Sequence, residues 1–330
     1  MMTDTTRWGI IGTGGIAHKF ATGLKVLPDA ELVAVGSRTQ SSADAFGAEF
    51  AVPHRHASYE ALVNDPDVDA VYISTPHPMH KGNALLCLEA GKAVLLEKPF
   101  TINAGEAEAV INLARQKGIF LMEAMWTRFH PAIVRTRELL AQGVIGDVLM
   151  VQADFGFRGD FSPEHRLWNP DLGGGGLLDV GIYPVSFASM IYRQQPADIS
   201  SYARMGSTNV DELTGMLFRY DGGQMALLAC ALQLNTPQEA VILGTQGRIR
   251  VHSPFWQSDG LTLSIYGKDD EVIHLPKVGN GYNYEATEVH NCLRAGKLES
   301  DIMPLDETLA LMRTLDRIRA PWGLKYPTES

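Results

Sequence analysis

Cysteine is scarce in this chain. Cys87, Cys230 and Cys292 are the only three in 330 residues and lie far apart. They form no disulfide framework and no zinc spacing, and they suggest a reducing compartment. Basic charge is also short. Against 38 Asp and Glu stand 28 Lys and Arg, a formal net charge of −10 with an isoelectric point of about 5.5. That balance gives nucleic-acid binding no electrostatic support. No apolar run approaches the roughly 20 residues that span a bilayer. The opening Met-Met-Thr-Asp-Thr-Thr-Arg has no secretory apolar core. Internal repeats and low-complexity segments are missing as well. The expectation is a cytoplasmic protein with neither a membrane nor a nucleic-acid partner. Its length allows two domains with sizeable cores.

Glycine, in contrast, is concentrated where it can act. The strand-like run Arg7-Trp8-Gly9-Ile10-Ile11 enters Gly12-Thr13-Gly14-Gly15-Ile16-Ala17 and then a helical pattern. This is the strand, Gly-x-Gly-x-x-Gly/Ala, helix order of a dinucleotide-binding turn. Gly12 permits the tight turn, Gly14 allows close approach of a pyrophosphate, and Ala17 lets helix and strand pack. Backbone N–H groups around Gly15 and Ile16 at the helix start would hold the anion. The next strand, 31–36, ends at Ser37-Arg38, where NAD-binding folds usually carry an acid for the ribose 2′-OH. Arg38 and Ser37 suit a 2′-phosphate instead. The expected cofactor is NADP(H), with NAD(H) possible.

Strand and helix patterns alternate through the first 123 residues, with strands at 7–12, 31–36, 68–74, 93–97 and 119–122. That alternation predicts a doubly wound parallel sheet, a Rossmann domain over 1–125. Asn103 predicts a helix start and Gly118 its stop. Beyond Met125 the pattern becomes a helix at 131–142 followed by successive strands between 147 and 275, with Asp221-Gly222-Gly223 as a hairpin turn. Residues 126–330 are thus expected to form an α+β domain with an open, largely antiparallel sheet. The cleft between domains is the natural substrate site. The fold class is α/β overall.

Two clusters carry chemistry. Glu97-Lys98-Pro99 follows the apolar strand 93–96, and strand ends of open α/β sheets are where ligands bind. Ser74-Thr75-Pro76-His77 and His80 lie at another strand end and suit cofactor or substrate hydrogen bonds; no matching acid or cysteine cluster accompanies them, and no metal is expected. In the second domain, four glycines at 173–176 precede Asp179 and Tyr183, which share one face if a helix starts there. A phenol beside a lysine ammonium is a workable proton donor and acceptor for alcohol–carbonyl interconversion. Asp179 could orient the tyrosine or the substrate hydroxyl. Trp126, Arg128, Phe155, Arg166 and Trp168 are candidates for the substrate pocket.

Together these segments resemble the Gfo/Idh/MocA family of glucose–fructose oxidoreductases and inositol dehydrogenases. The marks are Gly12-x-Gly14-x-x-Ala17, Thr75-Pro76-x-x-x-His80, Glu97-Lys98-Pro99 and Gly174-Gly175-x-x-x-Asp179-x-Gly181-x-Tyr183. Glu97-Lys98-Pro99-Phe100, the segment 123–129 and Asp179-Val180-Gly181-Ile182-Tyr183-Pro184 are most similar to the trans-1,2-dihydrodiol dehydrogenase branch, which includes D-xylose dehydrogenases. The resemblance implies a nicotinamide near Lys98, with Glu97, Thr75, Pro76, His77 and His80 around the cofactor. It implies catalysis by Lys98 and Tyr183 supported by Asp179, on a sugar, polyol or cyclic vicinal diol. It also implies a homodimer or dimer of dimers through the open sheet. Two departures stand out: tyrosine at 183 where many members carry histidine, and His77 where many carry asparagine. A keto-sugar or dicarbonyl reductase, or a nucleotide-sensing regulator on the same fold, are the rival readings.

Overall fold

The computed structural model describes residues 5–329. In chain order the elements are β1 (Thr6–Ile11), α1 (Gly15–Leu24), β2 (Ala30–Gly36), α2 (Gln40–Phe50), β3 (His54–His56), α3 (Tyr59–Val63), β4 (Ala70–Ile73), α4 (His80–Glu89), β5 (Ala93–Glu97), α5 (Ala104–Lys117) and β6 (Leu121–Ala124). There follow α6 (Pro131–Ala141), β7 (Val148–Gly156), α7 (Ile182–Tyr192), β8 (Asp198–Met205), β9 (Asp211–Arg219), β10 (Met225–Ala231), β11 (Ala240–Gly244), β12 (Gly247–Val251), β13 (Gly260–Ile265), β14 (Glu271–His274), α8 (Tyr282–Arg294) and α9 (Leu305–Arg319). By internal contacts the chain forms two compact units, Met1–Trp126 with Val278–Leu309, and Thr127–Lys277 with Ala310–Ser330. A contiguous second domain over 126–330 does not capture this return: α8 packs on α1 of the first unit.

The first unit is a six-stranded parallel sheet in the order β3-β2-β1-β4-β5-β6. Its central strands are largely apolar because helices cover both faces; β4 and β5 are buried at every residue, Glu97 at the end of β5 included. Strand order reverses between β1 and β4, so the loops after these strands flank the crevice in which such sheets bind ligands. Asn103 caps α5 by accepting from the Glu106 N–H at 2.9 Å, and Gly118 closes it with φ +64°. The three-residue edge strand β3 gives no apolar pattern to read, being His-Arg-His.

The second unit holds an eight-stranded sheet in the order β14-β13-β12-β11-β7-β10-β9-β8. It is mixed: β7 and β10 run parallel at its centre, and every other pair is antiparallel. Asp221-Gly222-Gly223 makes the β9–β10 hairpin, with Gly223 at φ +84°. One face of this sheet is packed by α6 and α7. Alternation along β9 buries Met216, Phe218 and Tyr220 on that covered side, while Leu217 and Leu227 on the other side are 38% and 39% exposed. An open apolar face therefore exists, but it consists of Leu217 and Leu227 with Val241 and Tyr202. Pro170–Tyr192 is apolar and long enough to span a bilayer, contrary to the expectation of no such stretch, and its most apolar 18 residues are 94% buried.

Candidate active site

The nucleotide end of the first unit begins at Gly12, which adopts φ +100°. A Cβ there would sit 3.0 Å from Ser74 Oγ, so both the backbone conformation and the closeness of the β4 loop demand glycine. The Ser74 N–H and hydroxyl both donate to the Ile11 carbonyl, at 3.0 and 2.9 Å, and tie the two loops together. Gly14 and Gly15 face open space: a Cβ on either would meet no atom within 4 Å. Gly14 precedes α1 without a side-chain cap, and the first turn carries no acid. A diphosphate fits this combination of open approach and helix N-terminus.

A cavity of about 660 Å³ lies on the open sheet of the second unit, and another of about 570 Å³ lies here. Gly12, Gly14, Ser37, Arg38, Thr75 and Pro76 line the latter, together with Thr39, Ser42, Tyr59 and Met79, which sequence reasoning missed. Thr39 was within reach, because a Thr-x-x-Ser step before an alanine-rich helix is a capping signal; its hydroxyl accepts from the Ser42 N–H. Tyr59 gives no such signal. Burial raises the Tyr59 phenol above its ordinary value, and the Arg38 charge works against that shift. No acid lines the cavity among the described residues.

Glu97 and His80 have internal work rather than a place on that cavity wall. The Tyr72 hydroxyl donates to Glu97 Oε1, and the Lys98 N–H donates to Glu97 Oε2 at 3.0 Å. His80 is fully buried, with Nδ1 at 2.9 Å from the Pro99 carbonyl and Nε2 at 2.8 Å from the Thr75 carbonyl. It thereby fixes the Thr75 loop against the Lys98–Pro99 bond, which is cis. Burial holds the His80 imidazole below its usual pKa. His77 packs edge-on against His80, ring centres 5.7 Å apart. The Phe100 N–H donates to Glu123 at 3.1 Å, and Thr308 holds the other oxygen of that carboxylate. Glu285, wholly buried on α8, has its carboxyl pushed well up by burial first and by the Glu97 charge second. Lys98 is thus mounted on a backbone held from several sides. Trp126 stacks on Tyr282 at 4.4 Å.

In the second unit Asp179 lies within a π-helical turn, Leu177–Gly181, and Tyr183 follows it in the first turn of α7. Such bulges occur frequently at functional sites. Asp211 holds the turn: its Oδ2 accepts from the Leu177 N–H at 2.7 Å and from Thr214 at 3.0 Å. The glycine run serves this packing, not a ligand. A Cβ on Gly175 would lie 2.5 Å from Asp211 Oδ1, and one on Gly174 would lie 2.8 Å from the Arg166 carbonyl. Arg166, half exposed, pairs with Asp179 Oδ1 at 2.8 Å. Tyr183 is 6% exposed and sits 5.2 Å from the Phe155 ring. Phe155 in turn stacks on Trp256 at 3.4 Å, with Phe157 beyond it.

Phe155 and Arg166 therefore join Tyr183 and Asp179. Arg128 and Trp168 do not. Arg128 is 2% exposed and is used up on the Ser186 hydroxyl and carbonyl of α7, both at 3.1 Å. Trp168 is wholly buried and donates to the Asp160 carbonyl at 3.0 Å. Trp256 was missed; the Pro254-Phe255-Trp256 run was its only signal in the sequence.

Comparison with known proteins agrees across the chain. Residues 6–125 match a family described as an oxidoreductase family with an NAD-binding Rossmann fold, and residues 133–250 match the GFO/IDH/MocA C-terminal domain. The chain is 41% identical to a trans-1,2-dihydrobenzene-1,2-diol dehydrogenase of Mus musculus and 39% identical to that of Bos taurus, with 98% of each chain covered in both comparisons. A 3-ketoreductase from Actinomadura kijaniata, solved with NADP and TDP-benzene, superposes with a TM-score of 0.84 at 26% identity, over 96% of this chain and 97% of that one.

Proposed function

The chain belongs to the GFO/IDH/MocA oxidoreductase family, and on that premise we propose that it is an NADP-preferring dehydrogenase or reductase of a cyclic vicinal diol, sugar or polyol. The observation that carries this reading is the pairing, in one chain, of an acid-free nucleotide cavity ending at Ser37 and Arg38 with a fixed Lys98 and a π-turn tyrosine, Tyr183. The relatives' names, diol dehydrogenase and 3-ketoreductase, support the same CH–OH chemistry. When bound, the nicotinamide supplies the hydride exchange at its C4.

Each residue then has a task. Gly12 and Gly14 let the backbone meet the diphosphate, and Ser37 with Arg38 takes the 2′-phosphate. Tyr183 exchanges the proton of the substrate hydroxyl, and the Lys98 ammonium favours its phenolate. Asp179 supports Tyr183 and fixes Arg166. The stacked faces of Phe155 and Trp256 offer an apolar wall to the C–H face of a ring. The open sheet face bearing Leu217 and Leu227 covers itself against a second copy, giving a homodimer or a dimer of dimers. A panel of cyclic trans-diols and aldoses with NADP tests the reading. NADPH should form with at least one class, and no turnover of any diol or sugar in either direction would overturn it.

A further inference from the structure

The edge strand β3 carries a cluster unrelated to the hydride chemistry. His54 and His56 stand two residues apart, so both imidazoles project from the same face of the strand. Asp65, just beyond α3, points at both. Its Oδ2 lies 2.7 Å from His54 Nδ1 and 2.9 Å from His56 Nε2. These three donor atoms all lie within 4.8 Å of one another, the only such group among the described residues.

We propose that His54 Nδ1, His56 Nε2 and Asp65 Oδ2 form a binding site for a divalent transition ion of the zinc class. Three features favour an ion over a plain hydrogen-bonded trio. First, the donor set is nitrogen, nitrogen and carboxylate oxygen, which suits zinc and its neighbours and not magnesium or calcium. Second, the carboxylate is aimed beforehand: Asp65 Oδ1 accepts from the Asp67 N–H at 2.9 Å, and its carbonyl accepts from Lys92 Nζ at 2.7 Å. The Asp65 side chain is 4% exposed, so packing also holds it in this orientation. Third, an entry path exists, since the side chains of His54 and His56 are 37% and 24% exposed. The other nitrogen of His54 faces Asp67 at 3.9 Å, the outer carboxylate that a ligating imidazole commonly has.

Zinc bonds of roughly 2.0–2.2 Å place tetrahedral donors about 3.3 Å apart, so each imidazole nitrogen need draw back from Asp65 Oδ2 by only about half an ångström. The ring nitrogens that now face Asp65 would ligate by their lone pairs, with the ring protons on the other nitrogens. The ion would clamp β3 to the loop after α3. That strand also backs the nucleotide loop, because the Ser37 N–H donates to the His56 carbonyl at 3.0 Å.

Competition between the intact protein and a chromophoric chelator for Zn²⁺, at slightly alkaline pH, tests the site. One tight equivalent per chain is expected, with Mg²⁺ failing to compete. His54→Gln and His56→Gln should each weaken it by at least about tenfold, the effect that even an outer partner has. Zn²⁺ should raise the melting temperature of the wild type and not of the double variant. Both histidines are partly exposed on an edge strand, and an unchanged melting temperature without ion checks the fold; if the double variant melts early, His54→Gln alone carries the test. Equal Zn²⁺ affinity in wild type and variants would overturn the proposal.

Discussion

Arg38 is the residue on which cofactor choice turns. It lines the nucleotide cavity beside Ser37 and Thr39, with no carboxylate among the lining residues. A guanidinium–phosphate contact is charge-assisted, and its loss should cost more than about 1.5 kcal/mol, or over tenfold. Titration of both cofactors should show NADP binding more tightly than NAD, and Arg38→Asp should narrow or reverse the order. Equal affinities in the wild type would contradict this assignment. At this scale the sequence shows which chemistry a side chain carries and leaves out where it is aimed. The tight turn at Gly12, φ +100°, was legible because its neighbours along the chain define it. Arg128 and Glu97 have partners far along the chain, which a sequence does not display: Ser186 is 58 residues from Arg128, and Tyr72 is 25 from Glu97.

Among elements, the π-turn at Leu177–Gly181 depends on one buried carboxylate from β9. Burial pushes Asp211 up to about 6, from an ordinary 3.8. A folded-state pKa above the unfolded one means that the native chain holds an extra proton between those values. The stability from that proton is complete below about pH 4 and is lost as pH rises through about 6. Asp211→Asn keeps an acceptor for the Leu177 N–H without the charge. Chemical denaturation at several pH values should therefore show the wild type losing on the order of 2–3 kcal/mol relative to the variant between pH 4 and pH 7. Parallel pH profiles would show that Asp211 does not titrate there. The strands were legible from apolar runs and period-two alternation. β3 was not, since His-Arg-His at a sheet edge carries no such pattern. Which side of β9 faces outward is not fixed by its pattern alone, because one residue of register exchanges the two faces.

For the whole molecule, the exposed sheet face predicts self-association. Light scattering at micromolar concentration should give about twice the chain mass of 36.1 kDa, or four times it. A charge at the centre of the face, Leu227→Asp, should shift the mass towards the monomer, since Leu227 is 39% exposed and tolerates polarity in the free chain. A wild type that is monomeric would remove the interface. The change from a parallel to a largely antiparallel sheet after Met125 was legible in the shift from alternating to successive strands. The return of Val278–Leu309 to the first unit was not, because a helix pattern says nothing about which sheet it packs on.

The central claim is that Lys98 and Tyr183 manage the substrate proton as one unit. Steady-state turnover of the wild type, Tyr183→Phe, Lys98→Met and the double variant at saturating NADP tests it most directly, alongside NADP affinity for each. A group that transfers a proton contributes roughly 10²–10⁴-fold. Each single variant should lose at least about the lower figure in kcat while holding NADP within a few fold. The double variant should lose far less than the product of the two, because residues that act together are not additive. Near-normal turnover in Tyr183→Phe, or fully multiplicative losses in the double variant, would contradict the account.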